Sequence, residues 1–118
     1  MTERQGPGLS IRINLANGGR FGPGKAALLR AIAEHGSIRQ AAQSLAMSYP
    51  RALKLIDEMN SDFTAPLLES SHGGATGGGS SLTQTGRDLL EAYDTLCAEA
   101  GKAASPALKT FRTQEKSA

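Results

Sequence analysis

Residues 36–60 read GSIRQAAQSLAMSYPRALKLIDEMN, and the way this stretch divides decides the fold. Ser37 is followed three positions later by Gln40, the spacing of a capping box that opens a helix through Leu45. Ile38, Ala41, Ala42 and Leu45 fall on its inward face. "AMS" at 46–48 interrupts that period. Ser48 then caps another helix, with Pro50 in the first turn, where a missing N–H costs little. This helix runs to about Ser61; Ala52, Ile56 and Met59 face inward, at spacings of i, i+4 and i+7. At ~100° per residue, Pro50 and Lys54 point the opposite way and Arg51 flanks them. Two short helices joined by about three residues form a helix-turn-helix candidate. The alanines of the first helix permit close crossing, and the second helix takes the recognition position. A recognition helix reads base edges from its N-terminal end, here Ser48 and Tyr49. A polar helix face in ordinary water is the alternative for the pair taken alone.

The flanking sequence adds order. In "LSIRINL" (9–15), Leu9, Ile11, Ile13 and Leu15 alternate with Ser10, Arg12 and Asn14, as in a half-buried strand. Asn17-Gly18 signals a hairpin turn, Arg20-Phe21 a short return strand, and "GPG" (22–24) a break. Residues 25–35 predict a helix with Leu28, Leu29, Ile32 and Ala33 on one face and Gly36 as its stop. "PLLES" (66–70) and "SSLTQ" (80–84) read as paired strands around the glycine-rich HGGATGGGS. A last helix from about Gln84 to Gly101 carries Leu89, Leu90, Tyr93, Leu96, Cys97 and Ala100 as an apolar stripe. The expected chain is mainly α with small β hairpins. Its parts are a flexible N-terminus (1–8), a winged helix-turn-helix (9–83), a dimerisation helix (84–101) and a small polar tail (102–118). In the tail, Ser105-Pro106 either starts a short helix holding Leu108 and Phe111 or lies in disordered chain.

Bulk composition narrows the function. A chain of 118 residues suits one domain, and with 4% aromatic residues and no Trp, Leu, Ile and Ala are expected to fill its core. No apolar run approaches the roughly 18 residues of a membrane span, and "MTERQGPG" lacks the apolar segment of a signal peptide. Cys97 is the sole cysteine, so no intrachain disulfide forms and a cytoplasmic setting is expected. Residues 1–54 carry eight Lys/Arg against Glu3 and Glu34, a balance of +6. Residues 55–99 carry Arg87 against eight Asp/Glu, a balance of −7, and the last 19 residues return +3. The basic half suits a polyanion. Arg51 can pair with guanine through two N–H groups, while Lys54, Ser48 and Tyr49 can reach phosphates.

Taken together, "GSIRQAAQSLAMSYPRALKLIDEMN" and "PLLESSHGGATGGGSSLTQTGRDLLEAYDTL" resemble the N-terminal domain of ModE-type molybdate-responsive transcription regulators, and more distantly the LysR-type regulators. The resemblance covers roughly residues 9–100 and is most specific in "GSI–QAA", "SY", "EMN", the glycine-rich wing and "LT–G". It implies a winged helix-turn-helix that binds a palindromic operator in double-stranded DNA as a homodimer, partly through the last helix. Ser48 and Tyr49 match the start of the family's recognition helix; Gly73, Gly74, Gly77, Gly78 and Gly79 match its wing. The expected DNA-binding set is Ser37, Arg39, Ser48, Tyr49, Pro50, Arg51 and Lys54, joined by His72, Gly74, Thr76 and Gly77 of the wing. The wing departs from the family in having no Lys or Arg, with Ser70 and Ala75 where basic residues are usual. The small β-barrel domain that binds molybdate in the family's sensors has no room after Gly101, so molybdate binding is not expected.

Enzyme readings fail on the same residues. "GGATGGGSS" lacks the lysine of a Walker phosphate loop, and its strand-loop-strand setting is not a Rossmann βαβ unit. His35, His72 and Cys97 share no metal-ligand spacing, and Cys97 sits on an apolar stripe. No catalytic residue, metal or cofactor is expected. A winged-helix protein–protein interaction module that has lost DNA binding is the alternative.

Overall fold

The structure, a computed structural model, describes residues 8–71 and 79–117. The chain opens with a hairpin of β1 (Ile13–Asn14) and β2 (Arg20–Phe21), antiparallel with Ile13 opposite Phe21 and Asn14 opposite Arg20. Gly18 takes the left-handed conformation in its turn, at φ 95°. The Asn17 side chain braces that turn, accepting from Gly19 N (2.9 Å) and donating to the Asp62 carbonyl (2.9 Å). The strand expected over 9–15 shortens to two residues. Its partner ends at Phe21 because Pro23 already begins a helix, so earlier residues have no strand to pair with. Ile11, Ile13 and Leu15 are half-buried as the alternation requires, but Leu9 is exposed.

Three helices follow: α1 (Pro23–His35), α2 (Ile38–Ser44) and α3 (Tyr49–Asp62). Gly36 ends α1 in the left-handed conformation (φ 71°), its N–H bonded to the Ile32 carbonyl. The buried arc of α1 is centred on Lys25, Leu28 and Ile32 and takes in Ala26, Leu29 and Ala31. Ala33, expected on that face, lies at its margin in the last turn and is exposed. Leu28, Leu29, Ile32, Met59 and Leu67 are fully buried at the centre of the core.

A second hairpin pairs β3 (Leu68–Ser71) with β4 (Gly79–Leu82), Leu68 opposite Leu82. It is tied to the helices where Ser80 N donates to the Gly36 carbonyl (3.0 Å). Thr83 closes it: its N–H bonds the Leu67 carbonyl (2.9 Å), and its hydroxyl donates to the Pro66 carbonyl (2.7 Å). The same Thr83 oxygen accepts from Gly86 N (3.0 Å), capping α4 (Gln84–Gln114). A Cβ at Gly86 would collide with the Leu67 carbonyl, so the "LT–G" signature is the joint between wing and last helix. The fold is a winged helix-turn-helix, mainly α with two small hairpins.

One further expectation is corrected. The last helix passes through Gly101 and Pro106 to Gln114 instead of stopping at 101, so residues 102–114 are helix and not a separate tail. Ala103, Ala104, Ala107, Lys109 and Leu108 are strong helix formers and offset the cost of the glycine and proline. Leu, Ile and Ala make up most of the core as expected, joined by the buried aromatics Phe21 and Tyr93. Phe21 meets Phe63 (6.4 Å) and Tyr93 (5.2 Å) edge to face, and the Tyr93 hydroxyl donates to the Ile11 carbonyl (2.6 Å). This trio fastens the first hairpin to α3 and α4.

Candidate nucleic-acid interface

The turn between α2 and α3 sets their crossing. Ala46 adopts φ 54°, unusual for a residue with a side chain. Backbone bonds from Leu45 N to the Ala41 carbonyl (3.2 Å) and from Met47 N to the Ala42 carbonyl (2.9 Å) close the turn around it. Ala41, Ala42 and Ala52 are buried, so the two helices pack at the distance that small side chains permit. Ser37 Oγ accepts from Gln40 N and Ser48 Oγ from Arg51 N, both at 3.2 Å. Each hydroxyl keeps its O–H for a further acceptor.

The N-terminal ends of these helices come together at the surface. The Arg39 guanidinium carbon lies 4.2 Å from the centroid of the half-buried Tyr49 ring, joining the first turn of α2 to that of α3. Such a contact contributes about 0.5–1 kcal/mol at an exposed site. Arg51 is exposed on the flank of α3 toward the first hairpin, and Pro50 and Lys54 are exposed on the side away from Ala52, Ile56 and Met59. Leu53, which the sequence reading passed over, shares this outward face and is 40% exposed, with Asp57 one turn on. The arrangement offers a bidentate donor, a point cation and an apolar contact within two turns.

Not every cation of the basic half is available. Lys25 is buried and donates to the Arg20 carbonyl (2.7 Å); it also pairs with Glu58 (3.0 Å), and Asp62 lies 4.0 Å away. The hydrogen bond from Lys25, aided by the charges of Lys25, Lys54 and Arg20, holds the Glu58 carboxyl below its ordinary range. Glu58 and Asp62 are therefore tied into this network. Arg30 pairs with Asp94 at 2.6 Å. Among the described residues, no carboxylate forms an ion pair with Arg12, Arg20, Arg39, Arg51 or Lys54.

Of the wing, Glu69, Ser70 and Ser81 are exposed on the two strands. His72, Gly74, Thr76 and Gly77 lie outside the described residues. Along α4, Tyr93 belongs to the chain's own core and not to an open stripe, and burial pushes its phenol pKa up, with Cys97 adding to the shift. Leu89, Leu90 and Cys97 pack half-buried against that core, and Ala100 is half-buried. Leu96 stays 40% exposed at the mouth of an apolar cavity of about 120 Å³ lined also by Ile13, Leu15, Phe21 and Phe63. Among the described residues, no helix is long and apolar enough to cross a membrane.

Residues 25–87, from the start of α1 into α4, match the bacterial regulatory helix-turn-helix proteins of the lysR family. The chain belongs to that family. This lysR-family chain is 34% identical over 87 residues to the molybdenum-pterin-binding protein MopA of Rhodobacter capsulatus, covering 74% of the chain and 33% of MopA. It is 42% identical over 74 residues to the transcriptional regulator ModE of Haemophilus influenzae, covering 63% of the chain and 29% of ModE. The DNA-binding transcriptional dual regulator ModE of Escherichia coli K12 matches equally, at 42% over 74 residues, with 28% of its length covered. The chain thus spans about a third of the length of the curated relatives it matches. Among solved structures, a CbnR_DBD–DNA complex superposes with a TM-score of 0.59 at 27% identity, covering 75% of this chain and 95% of that one.

Proposed function

We propose that this lysR-family chain is a transcriptional regulator that binds double-stranded DNA, presenting the N-terminal end of α3 to the major groove. The observation that carries the reading is the outward face of α3. Arg51 and Lys54 are exposed there without a described carboxylate partner, beside the stacked Arg39–Tyr49 pair. Arg51 specifies a base, Lys54 neutralises a phosphate, and Ser37, Arg39, Ser48 and Tyr49 fix the register on the backbone. Pro50 sits in the first turn of α3, against the groove. The glycine-rich wing, including His72, Gly74, Thr76 and Gly77, follows the flanking backbone without a cation of its own. The interaction-module alternative is not favoured, since the relatives include transcriptional regulators and the structural neighbour is a DNA complex.

The chain acts as a homodimer on a palindromic operator. The apolar cavity beside Leu96 and the exposed remainder of α4 support this reading. Residues 9–83 form the DNA-binding unit and α4 the dimerisation element, setting two recognition helices about 34 Å apart, one turn of B-DNA. This reading requires no cofactor, metal or catalytic residue, fits a cytoplasmic setting, and does not carry over the molybdenum in the relatives' names.

Binding to a panel of promoter fragments and to random duplex tests it. Arg51→Ala is expected to lose roughly 1–3 kcal/mol on the best fragment and to relax choice at one base pair. Lys54→Ala is expected to weaken all duplexes evenly and lower the salt slope by about one. Wild-type protein that binds no fragment more tightly than random duplex would contradict the regulator reading. Leu96→Asp is expected to convert the dimer to monomer in sedimentation and to abolish fragment binding; a wild-type monomer at micromolar concentration contradicts the dimer.

A further inference from the structure

A second cationic surface lies outside the recognition helix. Strand alternation sends Ile13, Leu15 and Phe21 into the apolar cavity and leaves Arg12, Asn14 and Arg20 on the outer face of the first hairpin. Asn14 opposes Arg20 in the ladder, and the next position across from Arg12 is Gly22. A Cβ at Gly22 would lie 3.4 Å from the Arg12 Cβ, so the glycine leaves the stem of Arg12 lying over it.

Arg12 and Arg20 do not stand alone. With Arg51 of α3 they border one open cleft, with Gly22 between them and Lys25 and Glu58 behind. Among the described residues, Glu58 is the single carboxylate on this cleft, and Lys25 already neutralises it at 3.0 Å. The three guanidiniums therefore face outward with a net positive charge. Their chemistry is that of phosphate recognition, a planar, delocalised cation with a fork of N–H donors.

Continuity decides which phosphate. Arg51 belongs both to the tip of the recognition helix and to this cleft, so a duplex seated on α3 brings its flanking strand past Arg20 and Arg12. The glycine-rich hairpin offers no matching charge. Its described strands carry Glu69 and serines, and no Lys or Arg occurs in the sequence from 66 to 86.

We propose that the outer face of the β1–β2 hairpin is a phosphate clamp, with Arg12 and Arg20 binding backbone phosphates of the duplex beside the bases read by α3. This rests on the reading of α3 as a DNA-binding helix. The clamp supplies, at the N-terminal edge of the domain, the backbone electrostatics that a wing without Lys or Arg lacks. It raises affinity for every duplex alike and adds no sequence choice.

Fluorescence anisotropy on a random-sequence duplex and on the promoter fragments, repeated across a range of KCl concentrations, tests this directly. Neutralising two phosphate contacts flattens the plot of log K against log[salt] by roughly two. The Arg12→Gln/Arg20→Gln double variant is expected to show that loss, with its melting temperature and its preference among duplexes unchanged. The Arg12→Lys/Arg20→Lys variant restores the slope. Should the double variant melt early, the single Arg12→Gln and Arg20→Gln variants each carry a loss of about one. A wild-type slope in folded Gln variants overturns the clamp while leaving the regulator reading intact. Failure of the wild-type protein to bind any duplex overturns both.

Discussion

The two hairpins are built alike and charged differently. Each pairs two short antiparallel strands, turns an apolar face inward and leaves a polar face outside. The first buries Phe21 under the ring of Tyr93 and shows Arg12 and Arg20. The second buries Leu68 and Leu82 and shows Glu69 and Ser81 on the other face. In a helix-turn-helix with one glycine-rich wing, electrostatic grip would be sought in the wing. Here the charge sits on the opposite hairpin, next to Arg51. The inner faces determine where each hairpin is held, and the outer faces what it can touch, so the two properties can be altered separately.

Removing the anchor of the first hairpin has the largest expected effect. Phe21→Ala takes out a ring that is 3% exposed and contacts Phe63 and Tyr93. It is expected to cost about 3–5 kcal/mol in urea unfolding. An effect below about 1 kcal/mol would mean that the hairpin is held by something other than this trio. The matching change at the second hairpin is Gly86→Ala, which drives a Cβ into the Leu67 carbonyl at the joint of wing and α4. Overpacking against backbone is expected to cost about 1–3 kcal/mol, with a lowered melting temperature. A neutral result would mean that the joint yields freely. Tyr93→Phe is the mildest, since it keeps the ring and deletes only the hydroxyl bonded to the Ile11 carbonyl. A loss of about 1 kcal/mol is expected in the same urea measurement. No change at all would place water where the hydroxyl now donates.

Local signals in the sequence carried much of the fold. Gly36 as a left-handed stop, Ser37 and Ser48 as caps, and Pro50 in a first turn are each decided within a few residues of themselves, and the structure has each in place. The missed features depend on distant partners. In the sequence Lys25 is one more cation of the basic half; only the fold brings Glu58 of α3 and the Arg20 carbonyl onto it. The bond from Tyr93 to Ile11 spans 82 positions and has no local signature. Gly101 looks like a helix stop, but a glycine stop of the kind seen at Gly36 takes the left-handed conformation, which Gly101 does not, and the alanine-rich segment beyond it propagates the helix instead. At the candidate interface, periodicity identified Arg51 and Lys54 as outward-facing. It could not place Arg12 and Arg20 beside them, because that requires knowing how the hairpin packs against α3.

Titrating isotope-labelled protein with a short duplex, while following backbone amide signals by NMR, tests the DNA-binding face most directly. The expected result is large shifts at Ser37–Arg39 and Arg51–Lys54, smaller shifts at Arg12 and Arg20, and little change along Leu68–Ser70 or Lys102–Gln114. Shifts concentrated on the second hairpin or on α4, with Arg51–Lys54 unmoved, would contradict the assignment of the N-terminal end of α3 as the surface that meets DNA.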